Sequence, residues 1–134
     1  MRKLIMKMSM SLDGFVSGPN AGNDWVFKTG DEESKAWSVG QIREAGLIIM
    51  GRKSFEGLAT YWPTAPGPFA APMKEIMRSL IATGLIDEYV LGIHPVALGS
   101  GLPIFTELAT PLYLKLVDVK TFPKGTMAKT FHPA

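Results

Sequence analysis

The run Leu47-Ile48-Ile49-Met50, cut off by Gly51-Arg52-Lys53-Ser54, constrains this chain more than any other stretch. Four apolar residues after Gly46 are too few for a buried helix and read as a short buried strand. The switch to a glycine, two cations and a hydroxyl is that of a chain leaving a sheet and opening a helix. Such a junction aims free backbone N–H groups, a helix dipole and fixed positive charge at one point, which suits a phosphate. Many strand–helix junctions carry Gly and Lys only for turn geometry and solvation, so the junction alone defines no ligand.

At 134 residues the chain fits a single domain, 1–134, large enough to bury a core. Hydrophobic residues make up 46% and charged residues 19%, the balance of a globular protein. No apolar run reaches membrane-spanning length, and Lys3 and Lys7 interrupt the N-terminal apolar segment, which argues against a signal peptide or anchor. The absence of cysteine removes disulfides and thiolate chemistry and fits a cytoplasmic protein. A net charge of +2, with basic residues scattered rather than striped, argues against a nucleic-acid partner.

From Lys3 to Asp13 the pattern alternates, with Leu4, Met6, Met8, Met10 and Leu12 on one face and Lys3, Lys7, Ser9, Ser11 and Asp13 on the other. That strand delivers Ser9, Ser11 and Asp13 to one side at its end, where Gly14 and Gly18-Pro19-Asn20 break the pattern. A helix is expected from about Asp31, with Thr29 and Glu32 as a capping box and Gly46 as its stop. Four prolines and Gly67 make 60–72 a surface loop. Pro72 suits the first residue of a helix over 73–83, whose stripe includes Met73 and Met77 as core residues. Strands follow at Leu85–Leu98, Leu112–Thr121 and Thr126–His132, the last two joined by the Phe122-Pro123-Lys124-Gly125 turn. Strands and helices in alternation, then a late run of strands, make an α/β fold with an antiparallel edge.

Several chemistries are absent from the sequence. Lys28-Thr29-Gly30 has no Ser-x-x-Lys to partner it, and neither Ser54 nor Ser100 sits in a Gly-x-Ser-x-Gly elbow. His94 and His132 make no paired-histidine motif, so no metal is expected. Gly99-Ser100-Gly101 starts like a dinucleotide fingerprint, but Ile104 stands where the third glycine belongs. Asp13, at the end of a strand, is the best acid/base candidate: a carboxylate partly desolvated in a crevice would keep a proton near neutrality. By pattern alone Asp13-Gly14 is first a turn pair. His94 reads as a packed or edge residue rather than a catalyst. Tyr61 and Trp62 either wall a planar ligand or pin their loop to the core.

Taken together, three stretches resemble the dihydrofolate reductase-like family that includes the RibD C-terminal reductase domain. They are Met8-Ser9-Met10-Ser11-Leu12-Asp13-Gly14-Phe15-Val16, Ile49-Met50-Gly51-Arg52-Lys53-Ser54-Phe55-Glu56, and Gly84-Leu85-Ile86-Asp87-Glu88-Tyr89 continuing through His94-Pro95 to Ile104-Phe105. The resemblance implies a mixed sheet with flanking helices and a C-terminal antiparallel hairpin, a homodimer, and an NADPH-dependent reductase of a small heterocyclic substrate. It implies that Gly51, Arg52, Lys53 and Ser54 bind the phosphate-bearing half of NADPH, with Arg52 and Lys53 favouring the 2′-phosphate. It further places Ser11, Asp13 and Gly14 beside the nicotinamide and substrate, with Asp13 orienting substrate or relaying a proton. In the riboflavin-pathway relative, a ribosylamino-pyrimidine is reduced to its ribitylamino form.

One departure stands out. In the family, further strands and a paired glycine separate the proline-rich loop from the helix leading to Gly-Leu-Ile-Asp-Glu. Here 72–76 runs straight into 77–84, which implies an internal deletion of about 30 residues or more, the size of a crossover unit. The alternative to a reductase is therefore a degenerate, non-catalytic member that dimerises and binds a nucleotide-like ligand weakly or not at all.

Overall fold

The computed structural model describes residues 2–47, 49, 84–106 and 108–134. The Gly51–Ser54 junction, Tyr61, Trp62, the proline-rich loop and the 73–83 helix lie outside the described residues. In chain order the elements are β1 (Ile5–Met10), β2 (Phe15–Ser17), α1 (Asp24–Thr29), α2 (Glu32–Glu44), β3 (Glu88–Ile93), β4 (Leu102–Pro103), β5 (Leu114–Thr121) and β6 (Met127–Pro133). A four-stranded sheet runs β1-β3-β6-β5, and β2 pairs with β4 in a small second sheet. The β1–β3 pair is parallel, and β3–β6 and β6–β5 are antiparallel. The mixed α/β architecture expected from the sequence is thus present.

Alternation in β1 decides which face is core. Met6, Met8 and Met10 lie opposite Tyr89, Leu91 and Ile93. Met6, Tyr89 and Leu91 join Val16, Ile86 and Ile104 in a buried cluster, with Met8 and Met10 packed against it. The other face carries Lys7 and Ser9 opposite Val90 and Gly92, and α2 reaches it, since Lys7 Nζ donates to Ser38 Oγ at 3.0 Å. Burying a Met or Tyr side chain contributes roughly 1.5–3 kcal/mol, so this cluster fixes the strand register.

Several boundaries differ from the sequence expectation. The alternation stops at Met10; Leu12 is exposed and Ser11 is fully buried, because the chain turns at 12–14 instead of continuing as strand. The cap of α2 is Asp31, not Thr29: its carboxylate accepts from Ser34 N at 2.8 Å while Ser34 Oγ accepts from Asp31 N at 2.9 Å. The same Asp31 accepts from Lys124 N at 2.8 Å, tying the C-terminal hairpin turn to the helix start. Thr29 instead ends α1, a six-residue helix with no long apolar stripe to announce it. Strand β3 spans only Glu88–Ile93 of the expected Leu85–Leu98, since Asp87 turns its carboxylate to Leu4 N and Pro95 cannot donate to a ladder. The hairpin of β5 and β6 stands close to its expected bounds.

Candidate functional site

The chain bends sharply after β1, and the bend is built from side-chain oxygens. Ser11 Oγ accepts from Phe15 N at 3.0 Å and donates to Asp13 Oδ1 at 2.5 Å. Asp13 then reaches across the fold: Leu98 N donates to Oδ1 at 3.1 Å and Gly99 N to Oδ2 at 2.7 Å. Leu12 N donates to Val96 O and Ile104 N to Gly14 O, so the 11–15 turn and the 96–104 segment are stitched together at four points or more. Two glycines make this approach feasible. Gly14 has φ +86° with open space where a side chain would stand, and Gly101, at φ +144°, would drive any Cβ into the Ser17 carbonyl.

This geometry sets the electrostatics. The Ser11 hydroxyl, then the Gly99 and Leu98 amides, hold the Asp13 carboxyl down to about 2. The expectation that Asp13 keeps a proton near neutrality is therefore corrected: it is exposed, ionised and triply hydrogen-bonded. Ser11 has no exposed surface and braces Asp13 from behind. The Gly99-Ser100-Gly101 turn spends the Leu98 and Gly99 amides on Asp13, so those amides form no pyrophosphate cradle. Of the expected site residues, the structure brings Ser11, Asp13 and Gly14 together. Gly51, Arg52, Lys53, Ser54, Tyr61 and Trp62 lie outside the described residues.

A second polar cluster lies on the helix-covered face of β1. His94 is buried at 5% exposure, and its Nδ1 stands 2.8 Å from Thr29 Oγ1. Because the Thr29 hydroxyl already donates to Trp25 O at 2.7 Å, the network assigns the proton to His94 Nδ1 and leaves Nε2 with its lone pair. The Trp25 ring meets His94 edge to face at 5.4 Å, and the buried Trp25 Nε1 has no hydrogen-bond acceptor among the described residues. Burial, with help from the nearby Lys7 charge, lowers His94 to about 4. Lys7 is itself lowered to about 8 by burial; besides Ser38 it has the Trp37 ring at 5.4 Å. Among the described residues no carboxylate pairs with it. The packed role expected of His94 matches this arrangement. The sequence signal for this cluster is a lysine, Lys7, between the core methionines of β1, and Trp25 carries none.

A concavity bordered by Arg2, Lys3, Ile86, Asp87 and His132 lies at the opposite end of β1 from Asp13. It shares no residue with the expected site. Among the described residues no group of His, Asp and Glu side chains is close enough to hold a metal ion. No helix among them is long and apolar enough to cross a membrane.

Known proteins resemble this chain in sequence and in fold. The RibD C-terminal domain family matches residues 74–128. The uncharacterized protein YyaP of Bacillus subtilis (strain 168) is 26% identical over 182 aligned positions, covering 98% of this chain and 95% of YyaP. A chain of 134 residues cannot fill 182 positions, so at least the difference, 48, face gaps here. Among solved structures, a Shewanella sp. PV-4 protein named for riboflavin biosynthesis superposes with TM-score 0.81 at 17% identity, covering 99% of both chains. Acinetobacter baumannii RibD superposes with TM-score 0.74 at 14% identity, covering all of this chain and 58% of RibD. At those identities the structural likeness carries the fold alone. The chain is thus similar to the RibD C-terminal domain over part of its length and shares the fold of these structural neighbours.

Proposed function

We propose that this chain is an NADPH-dependent reductase of a small heterocyclic substrate, similar to the pyrimidine reductase of riboflavin biosynthesis. The observation that carries the reading is the corner at the end of β1, where Ser11, Asp13 and the Leu98–Gly99 amides form a rigid, charged rim. Asp13 serves there as an ionised positioning group that holds the 96–104 segment in place. Gly14, with open space beside it, leaves room for a planar ring. NADPH, when bound, supplies the hydride; the chain supplies fixed distance and exclusion of water. Gly51, Arg52, Lys53 and Ser54 hold the phosphate-bearing half of the cofactor, while Tyr61 and Trp62 flank the substrate. The protein acts in the cytoplasm as a homodimer.

A non-catalytic relative is the second reading, favoured by the many positions of YyaP without a counterpart here. Titration with NADPH and with NADH, followed by tryptophan fluorescence and repeated on Arg52→Ala, decides between them. A reductase shows saturable NADPH quenching, a larger loss for NADPH than NADH in the variant, and NADPH oxidation with a ribosylamino-pyrimidine. No saturable change by millimolar NADPH would remove the reductase reading.

A further inference from the structure

Strand β5 ends the sheet, with β6 as its one neighbour among the described residues. All of it after Leu114 is exposed, including Leu116 at 48%, Val117 at 46% and Val119 at 45%. An eight-residue edge that exposes these apolar side chains and has no second neighbour among the described residues is a template for another strand. Two charges on this edge, Lys115 and Asp118, have no ion pair among the described residues.

The pairing with β6 fixes which face each β5 residue occupies. Leu114, Leu116, Val119 and Thr121 lie opposite Pro133, Phe131, Lys129 and Met127, on the face of the Met6–Tyr89 core. Lys115, Asp118 and Lys120 lie opposite His132, Thr130 and Ala128, on the other face. Val117 is the extra residue of a bulge, which is why Leu116 and Asp118, two apart, fall on opposite faces. Antiparallel pairing of β5 with a second β5 must set like faces opposite each other. Because of the bulge, two of the registers that pair six or more residues of each strand do so. One sets Lys115 against the partner's Lys120. The other sets Lys115 against the partner's Asp118, Leu114 against the partner's Val119, and Leu116 against the partner's Val117. Charge selects the second, and that register also pairs every exposed apolar residue of the strand with another.

We propose that two copies of this chain join β5 to β5 about a two-fold axis, with Lys115 of each copy opposite Asp118 of the other, so that the sheet continues through both. A two-fold contact of this kind is closed and consumes the edge that would otherwise recruit further chains. The proposal is independent of the reductase reading and fixes a surface and register for the association.

Charge exchange on the full-length chain tests it, because both positions are exposed and distant from the core. Sedimentation equilibrium is expected to give a dimer, with Lys115→Asp and Asp118→Lys each weakening it roughly tenfold or more through two like-charge oppositions. The doubly exchanged protein, with Lys115→Asp and Asp118→Lys together, regains wild-type association. Register is read separately by oxidising a mixture of Lys115→Cys and Asp118→Cys proteins, in a chain with no other cysteine. Cross-links form between the two variants and not within either alone. A wild-type monomer, open-ended aggregates, single exchanges without effect, or an unrescued double exchange would each overturn the proposal.

Discussion

Lowering the pH from 7 to 5 is expected to destabilise this protein mainly through one side chain, His94. In the fold its pKa lies at about 4, below the ordinary value of 6.5 that applies to the unfolded chain. Between those values the unfolded chain takes up a proton that the folded one refuses, so acid favours unfolding. The cost is absent above the unfolded value, grows as pH falls through 6.5, and levels off near 4. At pH 5 it amounts to about 2 kcal/mol for a group this buried, and by pH 4 to about 3 kcal/mol. Urea denaturation at pH 7, 6 and 5, read by tryptophan fluorescence, measures it. His94→Gln removes the titration while keeping a polar group for Thr29, so the variant starts less stable but loses little further on acidification. The lowered carboxylates, Asp13, Asp24 and Asp31, have ordinary values of 3.8 and titrate below this window. If the variant lost as much stability between pH 7 and 5 as the wild type, the buried, neutral imidazole would be refuted.

Three further outcomes follow from the same geometry. Lys7→Met is expected to stabilise the protein by about 1–2 kcal/mol at pH 7, because it removes a desolvated charge that has no carboxylate partner among the described residues. The wild type should recover that difference as pH rises from about 8 toward 10.5, where Lys7 loses its proton in the fold before it does so unfolded; thermal melts across that range check it. Gly101→Ala should destabilise by roughly 2–4 kcal/mol in chemical denaturation, since a positive φ and a backbone collision act together. Asp13→Asn should accelerate amide exchange at Leu98 and Gly99 without altering that of β5 and β6; unchanged exchange would mean that the carboxylate does not hold the 96–104 segment.

Local signals were legible and long-range polar ones were not. Alternation over Met6, Met8 and Met10 announces β1 and its core face, and Pro123-Lys124-Gly125 announces the β5–β6 turn. Helix α2 is legible but its cap is not, because Ser34 serves as well as Glu for the return bond to Asp31 N. Asp13 shows why the site was read only in part. Its turn with Gly14 is local, but two of its three donors come from residues 85 and 86 positions away, and no periodicity reports them. A carboxylate that looked like an acid in sequence is thereby converted to a permanent anion by the fold. His94 became legible as a packed residue from its neighbour Pro95, whereas its bond to Thr29 depends on how α1 lies against the sheet.

Parallel strands β1 and β3 are joined by everything between Met10 and Glu88, yet each residue of the pair is aligned by side-chain packing and by anchors at both ends, Leu4 to Asp87 and Met10 to His94. Among the described residues these contacts hold the two strands in register. Since loop-closure entropy changes by only about 0.6 kcal/mol for a twofold change in length, evolution is free to lengthen or trim that span while the rim around Asp13 stays where it is.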